Sequence, residues 1–130
     1  MNDDNQTEIG EYVRASIEAS LDGSIEIPLT GFREDLMRNQ PEAVVKLIYS
    51  LLAPAPGGYF LDVYDGPDVK SLGIPVTYIL AEDEGALPVP GREMAARVAV
   101  EPILVPGPHE AMLTHPDEVA QTLIEHSCKP

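Results

Sequence analysis

Two apolar runs in the second half of the chain restrict its fold more than anything else in it. IPVTYILA (residues 74–81) and VEPILVPG (residues 100–107) are nearly continuous hydrophobic stretches with many β-branched residues. Runs of this kind predict strands buried on both faces, the pattern of a parallel sheet. Between them, AEDEGALPVP reads as a loop and GREMAARV as a helix. After the second run, Thr114 or His115 caps a last helix that has Pro116 in its first turn. Asp117 and Glu118 lie at the positive end of that helix's dipole, and Val119, Leu123 and Ile124 face inward. Strand, loop, helix, strand, loop, helix at this spacing predicts a parallel βαβα unit of the α/β class.

Upstream, the pattern is helical. Ile9, Val13, Ile17 and Leu21 recur at every fourth position, one face of a helix over residues 8–21 that Asp22-Gly23 ends. SIEIPL alternates Ile25 and Ile27, a short strand or extended arm that Pro28 keeps out of a sheet centre. Thr30 caps a short helix to Met37. Pro41 opens another, to about Leu52, with a broad apolar face of Val44, Leu47, Ile48, Leu51 and Leu52. Residues 53–58 form a connection, and 59–72 are either extended or a loop with a helical turn. Residues 1–6 are polar and read as a disordered tail.

At 130 residues the chain makes one domain. Its formal charge of −14 repels phosphate backbones and anionic lipid headgroups, so neither nucleic acid nor membrane is expected as a partner. No run approaches the ~20 apolar residues of a membrane span, and MNDDNQTE is no signal peptide, so the expected location is the cytoplasm. Cys128 is the only cysteine, placed at the chain end, so no internal disulfide and no cysteine-based zinc site is expected. No phosphate loop and no metal-ligand spacing occurs, and no cofactor is expected.

In a βαβα unit the loops that follow the two strands open on the same edge of the sheet. That edge carries Glu82, Asp83 and Glu84 after the first strand and His109 and Glu110 after the second. A carboxylate beside a histidine fixes its tautomer and stabilises the imidazolium, as in a catalytic triad. The plainer reading is that acidic loops are common in so acidic a chain and that His109 caps or packs. His115 reads as a helix cap and His126 as a cation in a last helical turn. Tyr59, Tyr64 and Tyr78 can offer hydroxyl groups or simply pack.

The stretch GIPVTYILAEDEGALPVPGREMAARVAVEPILVPGPHEAMLTHPDEVAQTL resembles the C-terminal part of α/β-hydrolases. In that family a strand, an acidic loop closing on LP or VP, a helix and a strand lead to a PG-x-H loop with the catalytic histidine. On this resemblance His109 takes the histidine's position and Glu84 or Asp83 that of the acid, the offset to Leu87-Pro88 slightly favouring Glu84. FREDLMRNQPEAVVKLIYSLLAPAPGG resembles the family's inserted helical cap. The implied fold is a truncated α/β-hydrolase-like unit: a short parallel sheet flanked by helices (74–126), with N-terminal cap-like helices (7–58), in a single domain over 7–130.

The family's G-x-S-x-G nucleophile motif is absent, because no serine here has glycines two before and two after it, and no HG oxyanion motif occurs. The expectation is therefore a truncated hydrolase-like enzyme whose His109, oriented by Glu84 or Asp83, performs general acid–base chemistry. Hydrolysis, cyclisation or dehydration of a small hydrophobic ester, thioester or polyketide-like metabolite fits, with natural-product biosynthesis as the setting by analogy. The alternatives are a non-catalytic binding or scaffold protein, and a subunit completing a separate serine-bearing chain. A short parallel sheet leaves an edge unpaired, which predicts a homodimer with the N-terminal helices and SIEIPL at the interface.

Overall fold

The computed structural model describes residues 3–63 and 65–127, with side chains from Gly10 onward. Tyr64 and Cys128 lie outside the described residues. The architecture is mixed α/β, with helices and two short sheets, one antiparallel and one parallel.

The parallel sheet pairs β3 (Ile79–Asp83) with β4 (Ile103–Pro108), joined through α5 (Gly91–Arg97). Ile79, Leu80 and Ala81 lie opposite Ile103, Leu104 and Val105. A bulge then shifts Asp83 to Pro108. The last elements are α6 (Ala111–Thr114) and α7 (Pro116–Ser127), both packed on β4. This is the βαβα order that the apolar runs predict, with shifted limits. Residues 74–77 stay outside the ladder because β4 reaches back only to Ile103, whose N–H meets the Tyr78 carbonyl at 2.8 Å. The run therefore becomes a strand at Ile79 and carries on through Glu82 and Asp83.

Burial on both faces is not what these strands have. Leu80 and Val105 are buried, yet Leu104, beside Leu80, is 44% exposed. The cause is the width of the sheet. Helix α5 comes close enough that a β-carbon on Gly91 would overlap Leu80, but nothing equivalent covers Leu104.

The first helix, α1 (Asp3–Ala19), starts inside the stretch that polarity marks as a tail. Aspartates suit the start of a helix, so polar composition alone does not exclude one there. Helix α1 ends in a turn where Asp22 Oδ1 accepts the Ser24 N–H (3.0 Å) and the Ser20 hydroxyl (2.8 Å). The arm that follows forms β1 (Ser24–Ile25), which pairs antiparallel with β2 (Ala55–Pro56) of the same chain.

Helix α2 (Leu29–Gly31) runs directly into a π-helical turn, Phe32–Leu36, closed by Met37 N–H on the Phe32 carbonyl (2.9 Å). Pro28, not Thr30, precedes this helix. Helix α3 (Glu42–Tyr49) is shorter than the apolar pattern suggests, and Pro41 sits just before it, its carbonyl accepting from Val44 and Val45. Phe32, Met37 and Val45 form a fully buried cluster, flanked by Leu36, Val44 and Ile48. Leu47 and Leu51 face outward, so only part of the broad apolar face is used. Helix α4 (Gly58–Leu61) and a 3-10 turn at Val69–Leu72 lead back to β3.

No helix among the described residues is long and apolar enough to cross a membrane.

Candidate functional site

Parallel pairing sends the ends of β3 and β4 to one edge, and there the two loops meet. Glu84 is the first residue after β3, and His109 the first after β4. Glu84 Oε2 lies 2.8 Å from His109 Nδ1. Glu84 Oε1 meanwhile accepts the backbone N–H groups of Ala86 (2.7 Å) and Leu87 (3.2 Å). Both carboxylate oxygens are thus engaged, and the side chain is 14% exposed against 35% for His109. Bonds from two backbone amides hold the carboxylate without needing its rotamer fixed by packing, so the loop itself aims Glu84 at the imidazole.

The ionised carboxylate only accepts hydrogen bonds, so Nδ1 of the neutral imidazole carries the hydrogen. That assigns the lone pair to Nε2, which makes no hydrogen bond among the described residues. The pair is therefore set to take a proton at Nε2 and to stabilise the resulting imidazolium through Glu84.

The other sequence candidates fall elsewhere. Asp83 remains in β3 opposite Pro108 and makes no ion pair with His109, so of the two acids left open it is Glu84 that meets the histidine. Glu82 is an exposed strand residue. Glu110 is engaged through its backbone, its N–H donating to the Leu36 carbonyl at 3.2 Å. His115 caps nothing with its side chain: Nδ1 lies 2.8 Å from Thr114 Oγ1, and the ring fills the space above Gly107. Gly107 has φ +101, and a β-carbon there would overlap that ring, so both backbone and space require glycine two residues before His109. His126 Nδ1 donates only locally, to the Thr122 carbonyl at 2.9 Å. Among the described residues no group of three His, Cys, Asp or Glu could hold a metal ion.

Nothing in the residues around Arg38 marks it in the sequence. Its guanidinium covers the acid loop so closely that a β-carbon on Gly85 would overlap it, while Nε donates to the Glu34 carbonyl at 3.1 Å. The segment 36–38 thus touches both loops of the pair, Leu36 through Glu110 and Arg38 through Gly85.

Two pockets flank the acid loop. One, about 560 Å³, is lined by Glu84 together with Leu80, Leu87, Val89 and Leu104. The other, about 640 Å³, lies between α1, the arm and α3, lined by Val13, Ile25, Leu36, Leu52, Phe60 and Ala86. Both are in the size range of small-molecule sites. Ala86, whose N–H is held by Glu84, and Leu36, whose carbonyl holds Glu110, bring the larger pocket to the two loops. His109 itself lines neither. No protein-family model, curated protein or solved structure matches the chain.

Proposed function

We propose that the chain is an α/β-hydrolase-like acid–base catalyst in which His109 Nε2 takes up and returns a proton and Glu84 orients the ring. The observation that carries this reading is the double engagement of Glu84: two backbone amides on one oxygen and His109 Nδ1 at 2.8 Å from the other. With no G-x-S-x-G serine in the chain, the proton comes from water or from the substrate. Hydrolysis by activated water, cyclisation and dehydration all need only such a transfer. The substrate is a small hydrophobic ester, thioester or polyketide-like molecule, because the larger pocket, which reaches the acid loop at Ala86, is mostly apolar.

The test uses p-nitrophenyl butyrate and an N-acetylcysteamine thioester of similar length as probes. General acid–base catalysis is worth ~10²–10⁴-fold, so His109→Ala should lose a factor of that order and Glu84→Gln a smaller one. Equal turnover by wild type and His109→Ala would sink the catalytic reading. The absence of His109 from both pocket linings favours a second reading, a non-catalytic protein that binds an apolar molecule. It predicts saturable binding of the probes that His109→Ala leaves unchanged.

A further inference from the structure

We propose that the larger pocket takes a small amphiphile whose head is a positively charged ammonium group, a protonated amine or a quaternary ammonium, beside an apolar tail. This deepens the proposed function: it rests on the assignment of that pocket to the small molecule, and not on what His109 does.

The make-up of the walls comes first. The pocket, about 640 Å³, is bounded by α1, the arm, the π-helical turn, α3 and α4, and most of its lining is apolar. Three of the chain's seven aromatic side chains, Tyr12, Tyr49 and Phe60, line this one space, each from a different helix. Aromatic rings have negative faces, and groups of them are the usual cage for quaternary ammonium ions. Tyr49 is fixed in place: its hydroxyl donates to the Ile27 carbonyl at 2.9 Å and its ring centroid lies 5.4 Å from that of Phe32. Tyr12 and Phe60 are 52% and 56% exposed, so packing in a core does not account for them.

Charge narrows the ligand further. The walls carry two carboxylates, Glu26 on the arm and Asp35 in the π-helical turn, and among the described residues no lysine, arginine or histidine lines the pocket. Glu26 makes no ion pair among the described residues. Arg38 Nη2 stands 3.9 Å from Asp35, past hydrogen-bond reach, while its Nε is bound to the Glu34 carbonyl. An anionic head would meet two like charges and no cation. An ammonium head meets both carboxylates and the rings, and the aliphatic walls take the tail. The π-helical turn that carries Asp35 is a rare element that recurs at functional sites.

Titration calorimetry of the full chain with octyltrimethylammonium, octanol and octanoate separates head from tail. The ammonium should bind about tenfold tighter than octanol, and octanoate more weakly than octanol. A chain of charge −14 attracts any cation, so the place of the charge has to be tested. Glu26→Gln with Asp35→Asn should remove most of the preference for the ammonium and leave octanol binding unchanged. Asp117→Asn with Glu118→Gln removes the same charge from the exposed first turn of α7 and should keep the preference. Tyr12→Leu with Phe60→Leu keeps the walls apolar, and should weaken the ammonium several-fold and octanol little. The comparison of the three probes on wild type needs no variant to fold. Phosphatidylcholine vesicles, which present the same ammonium group on a surface, should not retain the chain; retention would overturn the assignment to a small molecule. Equal affinity for octanol and octyltrimethylammonium, or equal losses from the two acid pairs, would overturn the proposal. Repeating the titrations in His109→Ala keeps the two readings apart. The preference should survive there even if turnover shows that His109 is not catalytic, and a preference lost with His109 would sink this inference alone.

Discussion

In the helical part of the chain, Phe32, Met37 and Val45 are sealed from solvent and packed on Leu36, Val44 and Ile48. In the βαβα part, Leu80 and Val105 are buried while their neighbour Leu104 is 44% exposed. Yet it is the second part that carries the paired side chains. Their geometry comes from polar locks: Glu84 on two amides of its own loop, His109 on Glu84, and the His115 ring seated on Gly107. The difference teaches that short-range hydrogen bonds and close backbone approach can hold a site on a sheet that is covered unevenly, open at Leu104 but buried at Pro108 and Ala111 beside His109. The close-packed cluster then acts as a brace, reaching the site through Leu36 and Arg38.

The sharpest way to break this contrast is to truncate one core side chain on each side. Phe32→Ala removes a fully buried ring and should cost about 3–5 kcal/mol in urea unfolding. Leu80→Ala, next to an open pocket that can relax into the gap, should fall at the low end of the leucine range, about 2–3 kcal/mol. If the two cost the same, the sheet has a better core than its exposure implies, and the polar locks matter less than argued.

Next in size is Gly107→Ala. A left-handed backbone and an overlap with the His115 ring should together cost about 1–3 kcal/mol. Repeating the change in a His115→Ala background separates the two terms. The cost should shrink to the backbone part, measured as a coupling between positions 107 and 115. Full additivity would mean that the ring does not lock the turn.

The two parts also differ in how far the sequence reveals them. The βαβα order and the placing of His109 opposite an acidic loop are legible, because β-branched runs and Gly/Pro-rich turns are local signals. The strand limits are not, since Ile79 is the first paired residue only because β4 starts at Ile103. The choice of Glu84 over Asp83 is legible only as a slight preference from the offset to Leu87-Pro88, because it depends on a bulge that keeps Asp83 in the ladder. In the helical part, periodicity finds α1 and α3 but not the π-helical turn at Phe32–Leu36, whose carbonyl at Leu36 reaches the His109 loop. The role of Arg38 is invisible for the same reason, being a tertiary contact with Gly85.

Glu84→Gln sharpens the account of the lock itself. The amide oxygen can keep the Ala86 and Leu87 bonds, while its NH₂ faces Nδ1 and repels the hydrogen there. The loss should be about 1–2 kcal/mol, with the nitrogen NMR shifts of His109 moving from one tautomer toward a mixture. An unchanged tautomer would show that Glu84 does not orient the ring.

The smallest effect tests whether the helical part has a polar lock of its own. Hydrogen bonds from Ser24 and Ser20 hold the Asp22 carboxyl down, from 3.8 to about 2. A carboxyl depressed by folding contributes its stability fully above the ordinary value and loses it as pH falls toward the folded one. Wild type should therefore lose stability between about pH 5 and pH 2 more steeply than Asp22→Asn, which keeps an oxygen for the Ser24 N–H but no charge. The two urea midpoints should differ at neutral pH and converge near pH 2. Because Asp22 is fully exposed, the gap should be small beside that of Gly107→Ala. A gap as large would mean that the turn opening the arm is held in the same way as the site, and the two parts of the chain would no longer differ in kind.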